Sequence, residues 1–358
     1  MSSVPHAFLA NSDALSVPDR SQHASWQKEL AQAVRSADEL LRRLGLNPDE
    51  SSTQEMLHTA GIQSPDHDTL RRFPVLVPEN FLDRMTPGDV HDPLLRQVFP
   101  MAEENVTVDG FVNDAVGDLD ARRIAGVLQK YTGRVLLIAT SACAIHCRYC
   151  FRRDYPYSEE PRRLQDWRPA LEEIASDTTI TEVIFSGGDP LMLNDARLQA
   201  LCSAIDQIPH VERIRFHTRL PIVLPSRVTQ ELLTLLTGLR AQPILVVHAN
   251  HGNELVGDCV PGLQSLVRSG IPVLNQAVLL AGINDNLAAL ETLCRRLINV
   301  GVMPYYLHQL DRVSGTAHFE ADRAMGQQLI QQLAARLPGY AVPRFVQEIA
   351  GQPNKTAL

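Results

Sequence analysis

Half of the six cysteines in this sequence stand close together, at Cys143, Cys147 and Cys150. Thiolate sulfur is a preferred ligand of zinc and of iron–sulfur clusters, so the grouping predicts a metal or redox centre. A structural zinc site is usually closed by four protein ligands, whereas three cysteines leave one position open. The residue types therefore indicate a centre that accepts an external ligand.

The three cysteines permit other interpretations, which must be compared with a cluster. A zinc site would need a further ligand, commonly from a second CxxC pair, and the sequence contains none. Buried inert cysteines are ordinary in helices, but a loop after a strand is a poor position for three of them. A four-iron cluster held by three thiolates fits best. We interpret the remaining cysteines as buried apolar residues: Cys202, Cys259 and Cys294.

Short apolar runs rich in β-branched residues alternate with helical patterns, for example at 194–207, 226–240 and 285–300. Strands joined by helices pair in parallel, because a parallel connection needs a long crossover. The expected fold class is therefore α/β, with six strands curled into a (β/α)6 barrel. The runs are RVLLIAT, TEVIFSG, RIRFHT, PILVVHAN, VLNQAVL and PYYLHQL.

Polar side chains occur where the predicted strands end. In parallel α/β barrels, ligands bind at the C-terminal ends of the strands, so these residues predict a polar site at one end of the barrel. Besides the cysteines they are Ser186, Gly187, Gly188, Asp189, His217, His248, Asn275, Gln276, His308 and Asp311.

The first part of the chain lacks this alternation. Apolar residues at near-helical spacing predict one amphipathic helix over about 25–44, and an irregular stretch containing prolines follows. We therefore divide the chain into a helical and irregular extension at 1–125, a barrel at 126–340 and a C-terminal segment at 341–358.

Composition narrows the function class. A chain of 358 residues with 44% hydrophobic and 21% charged residues is typical of a globular enzyme. The formal charge of −8 argues against nucleic acid or an anionic membrane as a partner. The sequence has no membrane-length apolar run and no basic leader, so we expect a cytoplasmic protein with reduced thiols.

The cysteine segment resembles the radical S-adenosylmethionine superfamily. The shared signature is CxxxCxxC with an aromatic residue before the last cysteine, here Cys143-Ala-Ile-His-Cys147-Arg-Tyr149-Cys150. The resemblance implies a [4Fe–4S] cluster whose open iron binds S-adenosyl-L-methionine, which is cleaved to a 5′-deoxyadenosyl radical. It also implies that Gly187, Gly188 and Asp189 belong to the segment that meets the methionine group.

A narrower resemblance, from about residue 110 onward, is to the lysine 2,3-aminomutases. It rests on KYTGRVLLIATSACAIHCRYCFRR, FSGGDPL, HANHGNEL, NQAVLLAGINDN, PYYLHQLDRVSGTAHF and FVQEIAGQPNK. It implies a partial (β/α)6 radical SAM barrel and a second cofactor, pyridoxal 5′-phosphate. It also implies conversion of (S)-α-lysine to (R)-β-lysine through a pyridoxal phosphate aldimine.

Pyridoxal phosphate needs an amine, and the chain has only Lys28, Lys130 and Lys355. From position alone Lys355 resembles a mobile tail residue. The family resemblance instead makes Lys355, in the segment 341–358, the Schiff-base lysine. Here Gly351-Gln352-Pro353-Asn354 replaces the family's run of glycines.

The resemblance assigns further cofactor contacts. Arg134 and Lys130 match phosphate-binding positions, Gln276 matches a residue near the pyridine ring, and His248 matches one near the adenosyl group. Two ordinary interpretations remain open: Lys130 as a surface charge and His248 as a hydrogen-bonded core histidine. His308 replaces a family tyrosine.

The resemblance also assigns residues that contact the substrate. Arg152 matches the arginine that pairs with the substrate carboxylate, whereas Asp311 and Glu348 match two acids that hold the ε-ammonium of lysine. A buried ammonium must be paired with carboxylates, so retention of both acids favours lysine. Glu348 stands where aspartate is usual, and the added methylene is expected to weaken positioning.

The chain stops at Leu358, whereas catabolic family members carry a further segment. The short form resembles bacterial aminomutases that supply β-lysine for modification of translation elongation factor P. Expected partners are L-lysine, that factor and its β-lysine ligase through a functional link, and a reductant such as flavodoxin or ferredoxin. Alternatives are an aminomutase of glutamate or arginine, a radical enzyme without pyridoxal phosphate, and a noncatalytic iron–sulfur or zinc module.

Overall fold

A computed structural model describes residues 25–60, 62 and 73–358, and within them one sheet runs in the order β1 to β10. The strands are β1 (Arg122–Ile124), β2 (Val127–Tyr131), β3 (Arg134–Thr140), β4 (Glu182–Gly187), β5 (Arg213–Thr218), β6 (Gln242–His248), β7 (Val273–Val278), β8 (Met303–His308), β9 (Arg344–Gln347) and β10 (Thr356–Ala357). The α-helices are α1 (Ser25–Ala31), α2 (Ala37–Arg43), α3 (Ser51–Thr59), α4 (Glu79–Leu82), α5 (Arg168–Ser176), α6 (Asp195–Asp206), α7 (Leu220–Val223), α8 (Gln230–Thr237), α9 (Cys259–Arg268), α10 (Leu287–Asn299) and α11 (Arg323–Ala334).

The six predicted strands are confirmed as β3 to β8, and each pairs in parallel with the next. Helices fill the crossovers, with α5 between β3 and β4, α6 between β4 and β5, and α10 between β7 and β8. This arrangement confirms the α/β class and the partial barrel. It also brings the C-terminal ends of all six strands to the same end of the barrel, where the sequence analysis expected a polar site.

Both edges of the barrel carry strands that the sequence analysis missed. β1 and β2 form an antiparallel hairpin beside β3. At the other edge β9 pairs in parallel with β8, and β10 returns antiparallel to β9. The amide of Leu358 donates to Phe345 O at 3.0 Å, so the end of the chain is tied into the sheet. Lys355 directly precedes β10 and does not lie on a mobile tail.

Alternation along β5 separates its two faces. Ile214 and Phe216 are buried, and the Phe216 ring stacks on Phe185 of β4 with centroids 5.1 Å apart. Arg215 and His217 occupy the other face. The apolar face therefore packs under the helices while the polar face lines the barrel interior.

The prediction of one helix over 25–44 is wrong, because α1 and α2 are separate. Val34 between them forms an antiparallel bridge with Val77, with N–O distances of 2.8 and 3.0 Å, which requires extended backbone. Ser36 then starts α2 by accepting from the amide of Glu39. A long-range pairing therefore overrides the local helical pattern.

The extension and the barrel share one hydrophobic core. Trp26 is buried and lies over the guanidinium of Arg227 at 5.0 Å, while Phe81 and Leu94 are fully buried in the same cluster as the barrel residues. Cys202, Cys259 and Cys294 are buried on helices, which confirms their interpretation. In the described part of the chain, every helix is too short or too polar to span a lipid bilayer.

Candidate active site

The cysteine loop follows β3 and is held by the extension. The amide of His146 donates to Leu76 O at 3.0 Å, and that of Arg148 donates to Gln97 O at 2.9 Å. The thiols of Cys143, Cys147 and Cys150 are free and partly accessible. The loop is therefore fixed on one side while its sulfur atoms stay available to a ligand.

The thiols suit a metal centre in their chemistry. Burial raises the pKa of Cys143 well above its ordinary value and that of Cys150 to about 11, so both are protonated at neutral pH. A bound cluster would displace these protons and supply the positive charge that thiolates need. Among the described residues, no three Cys, His, Asp or Glu side chains are already arranged to hold a metal ion, and this applies to zinc and to a cluster alike.

The glycine pair packs against the start of the cysteine loop. Gly187 has a φ of +112°, and a Cβ there would lie 2.6 Å from Thr140 O. A Cβ on Gly188 would collide with the carbonyl oxygen of Ala142. Glycine is required at both positions because backbone meets backbone. The pair therefore sets the position of the cysteine loop, a role that the sequence analysis did not assign.

Asp189 connects the segment after β4 to the segment after β5. Its carboxylate accepts from Thr218 Oγ1 at 2.7 Å and from the amides of Arg219 at 2.6 Å and Leu220 at 3.2 Å. Burial raises the pKa of Asp189 to about 6, although these hydrogen bonds act in the opposite direction. The carboxylate is thus engaged within the protein, where it orients the residue that follows β5.

That residue, Arg219, was missed by the sequence analysis. Its Nη1 lies 2.6 Å from Cys147 Sγ, and its Nη2 donates to Gln97 Oε1 at 2.7 Å and to Glu254 Oε2 at 2.9 Å. Arg219 is only 6% exposed. The sequence offered one signal for Arg219, which is its position immediately after a predicted barrel strand. The same criterion had selected His217.

Among the described residues, four histidines have buried ring nitrogens without hydrogen-bond partners. One is His318, and the other three lie in barrel strands and leave Nε2 unpaired: His217, His248 and His308. Burial lowers the pKa of His248 to about 4 and lowers those of the other two well below the ordinary value, so all three rings are neutral. Buried unpaired nitrogens are costly, and their grouping fits an interior that holds a polar ligand.

Lys355 points into the same interior. Its Nζ lies 2.5 Å from Glu348 Oε2, while Tyr131 Oη donates to Glu348 Oε1 at 2.5 Å. Burial is the main cause of the lowered pKa of His217 and His308, and the positive charge of Lys355 lowers both values further. Lys355 therefore lies near both rings. An amine beside unpaired polar atoms fits the attachment point of an aldehyde cofactor.

The other lysines are placed differently. Lys28 lies exposed on α1. Lys130 Nζ lies 2.7 Å from Asp118 Oδ1 and donates to Val116 O at 2.7 Å, so it is already paired within the protein. This pairing does not test its predicted contact with a phosphate, but it adds Asp118 to the site.

Asp118 also holds Arg152. Arg152 Nε donates to Asp118 Oδ2 at 2.6 Å, and Nη1 donates to Ser186 Oγ at 3.0 Å. Burial raises the pKa of Asp118, but the charges of Arg152 and Lys130 outweigh it and lower the value to about 2. Asp118 is therefore a fixed anion that orients both predicted cations. It lies in an irregular stretch without a motif, so no local signal identified it.

Asp311, after β8, faces the same charges. Burial raises its pKa to about 7; the positive charge of Lys355 opposes this shift, and Glu348 reinforces it. Glu348 differs, because the charge of Lys355 and two hydrogen bonds outweigh burial and lower its pKa. At neutral pH one acid is ionised and the other is near its midpoint. The pair can therefore take up one additional cation.

The remaining predicted contacts lie around this interior. The guanidinium of Arg134 lies over the Tyr131 ring at 4.6 Å. Gln276 on β7 is in register with His248 on β6, whose ring lies 5.7 Å from that of Tyr149 beside the cysteines. His248 thus lies near the cysteine loop, whereas Arg134 is the first residue of β3, at the opposite end of that strand from the loop.

Sequence comparisons relate this chain to known proteins. The family model described as the radical SAM superfamily matches residues 137–294. L-lysine 2,3-aminomutase of Escherichia coli strain K12 is 40% identical over 350 residues, which cover 98% of this chain and 98% of that protein. The Haemophilus influenzae enzyme of the same name is 39% identical over 94% of this chain and 96% of its own length. The Clostridium subterminale enzyme is 29% identical over 93% of this chain and 77% of its own length.

Solved structures are more distant. Streptococcus suis SuiB bound to S-adenosylmethionine matches with a TM-score of 0.46 and 13% identity, over 61% of this chain and 51% of that chain. The assignment therefore rests on the sequence matches, which extend beyond the 137–294 segment to nearly the whole chain. They imply an isomerase that uses a [4Fe–4S] cluster and S-adenosylmethionine. The chain belongs to the lysine 2,3-aminomutase family of the radical SAM superfamily.

Proposed function

We propose that this protein is an L-lysine 2,3-aminomutase that converts (S)-α-lysine to (R)-β-lysine with pyridoxal 5′-phosphate bound at Lys355. The observation that carries the proposal is the position of the Lys355 amine, 2.5 Å from Glu348 and within the electrostatic reach of Asp311. An amine for the cofactor and two acids for a substrate ammonium therefore occur together. When bound, the cluster, S-adenosylmethionine and pyridoxal phosphate supply the radical and the electron sink for amino-group migration.

Charge balance supports lysine as the substrate. Without ligands, the ammonium of Lys355 neutralises Glu348. Glu348 and Asp311 are two acids that face the single cation of Lys355. The ε-ammonium of lysine would supply a second cation, which would also favour ionisation of Asp311. A glutamate side chain would instead add an anion to the two acids.

The opposite end of the substrate would be held by Arg152. Asp118 and Ser186 fix its guanidinium through Nε and Nη1, so the side chain is oriented before a substrate carboxylate arrives. Preorganisation of this kind lowers the entropic cost of binding. Arg134 and Lys130 are proposed phosphate contacts, and Gln276 and His248 are proposed contacts of the pyridine ring and the adenosyl group.

The neutral histidines complete the site without adding charge. His217, His248 and His308 offer nitrogen atoms that can accept or donate hydrogen bonds, while their unprotonated state avoids repulsion of the substrate ammonium.

The proposed biological role is supply of β-lysine for modification of elongation factor P in the cytoplasm. It is supported by the substitutions noted in the sequence and by the match to the Escherichia coli protein over 98% of both chains, and it includes a functional link to the β-lysine ligase and a flavodoxin or ferredoxin as electron donor. In this proposal the described part of the extension 1–125 supports the barrel at 126–340, and 341–358 delivers the cofactor lysine.

The test is anaerobic reconstitution with iron, sulfide and pyridoxal phosphate, followed by reductant, S-adenosylmethionine and L-lysine, with β-lysine measured by mass spectrometry. Lys355→Ala is expected to lose both the product and the absorbance of protein-bound pyridoxal phosphate. Lys28→Ala is the matched control, because Lys28 is exposed on α1. Product formation by Lys355→Ala, or product from glutamate or arginine but not lysine, would overturn the proposal.

A further inference from the structure

A buried arginine contacts one of the three cluster cysteines. We propose that Arg219 raises the reduction potential of the [4Fe–4S] cluster through its charged contact with Cys147 Sγ, and that Glu254 sets the size of this effect. The distance from Nη1 to the sulfur is 2.6 Å. The inference depends on the cluster that the family uses and not on pyridoxal phosphate or lysine.

The arginine is fixed from both of its ends. Asp189 accepts from its backbone amide, and the Nη2 group donates to Gln97 and Glu254. Because Arg219 is only 6% exposed, water does not compete for these bonds. The guanidinium therefore cannot turn away from Cys147 without breaking several buried hydrogen bonds.

Glu254 is the counterion of Arg219 and is held in place by several hydrogen bonds. It is fully buried and accepts from the amides of Asn250 at 2.8 Å and His251 at 3.0 Å, in addition to Arg219 and Gln97. Burial alone would raise its pKa, but these partners lower it, so the carboxylate stays ionised. The ion pair has its positive end at the sulfur and its negative end away from it.

The sign of the effect follows from electrostatics. Reduction by a one-electron donor adds a negative charge to the cluster, and a nearby cation stabilises the reduced form more than the oxidised form. Hydrogen bonds to the sulfur act in the same direction. Removal of the cation lowers the potential, whereas removal of its counterion raises it. These opposite signs distinguish a tuning role from a structural one.

The test compares Arg219→Gln with Glu254→Gln in anaerobically reconstituted protein without S-adenosylmethionine, titrated with dithionite under electrochemical control and followed by electron paramagnetic resonance. At a fixed potential, Arg219→Gln is expected to lower the ratio of reduced to oxidised cluster by about tenfold, equivalent to about 59 mV for a one-electron couple. Glu254→Gln is expected to raise this ratio. Arg219→Lys, which retains the charge, should lie between Arg219→Gln and wild type.

Two controls separate tuning from damage. Arg295→Gln removes an exposed arginine, 54% accessible on α10, and should leave the potential unchanged. The double variant Arg219→Gln/Glu254→Gln removes both charges and avoids an unpaired buried carboxylate, so it provides a folded protein if the single variant does not. Its potential should lie below that of Glu254→Gln. Fully iron-loaded variants with the wild-type potential, or single variants that shift the potential in the same direction, would overturn the inference.

Discussion

The cysteine loop and the barrel interior differ in how fully their buried charged and polar groups are paired. Around the loop, Arg148 and Arg153 both pair with Glu104, at 2.6 and 2.7 Å, and Arg219 pairs with Glu254. In the interior, three histidine nitrogens lack partners and Asp311 has a raised pKa because burial disfavours its charge. The charged side chains around the loop are therefore paired before any ligand binds, whereas the interior holds polar groups that still lack partners.

The largest effect on stability is expected when a paired charge beside the cysteine loop is removed. Glu104→Gln would leave Arg148 and Arg153 buried without their anion, and loss of one partner from a buried ion pair costs about 3–5 kcal/mol. Chemical denaturation should show this loss in the free energy of unfolding. Glu172→Gln is the matched control, because Glu172 forms an exposed pair with Arg168. A Glu104→Gln variant as stable as the control would show that the two regions do not differ.

A smaller effect is expected in the interior. Glu348→Gln should raise the KM for L-lysine by about thirtyfold, equivalent to about 2 kcal/mol, because the proposed site of the substrate ammonium loses a buried acid. The free energy of unfolding should change less than in Glu104→Gln. Glu348→Asp, which keeps the charge and restores the residue usual in the family, should not raise the KM. An unchanged KM for Glu348→Gln would remove this residue from the substrate site.

The smallest effect is a dependence of stability on pH. Burial raises the pKa of Asp311 from 3.8 to about 7, so the folded state retains a proton that the unfolded state has lost between these values. The contribution of Asp311 to stability is therefore present below about pH 4 and is lost as the pH rises through about 7. Asp311→Asn has no such proton to lose. Denaturation at about pH 5 and about pH 8 should show a larger decrease for wild type than for Asp311→Asn, and parallel curves would refute the shift.

Local sequence was sufficient to predict the parallel strands of the barrel. The β-branched runs predicted β3 to β8, and the spacing of Cys143, Cys147 and Cys150 predicted the loop after β3. Such features depend on residues that are neighbours in the chain, where periodicity and spacing are directly visible. The short strands β9 and β10 leave little periodicity to detect.

Residues with long-range partners could not be predicted in this way. Asp118 acquires its role from Arg152, and Glu254 acquires its role from Arg219, which is 35 positions away. The helix break at Val34 likewise depends on Val77. No pattern around these residues distinguishes them from ordinary acids or core valines. The glycine pair was found, but its packing against Thr140 and Ala142 was visible only in three dimensions.

The attachment of the cysteine loop to the extension has a consequence for protein engineering. The loop donates backbone hydrogen bonds to Leu76 and Gln97, and Glu104 neutralises its arginines. A fragment cut at 126 would retain every barrel strand from β2 onward but would lose all three supports. The barrel is therefore not a portable module. A chimera that transplants this radical centre must take the segment 73–105 with it.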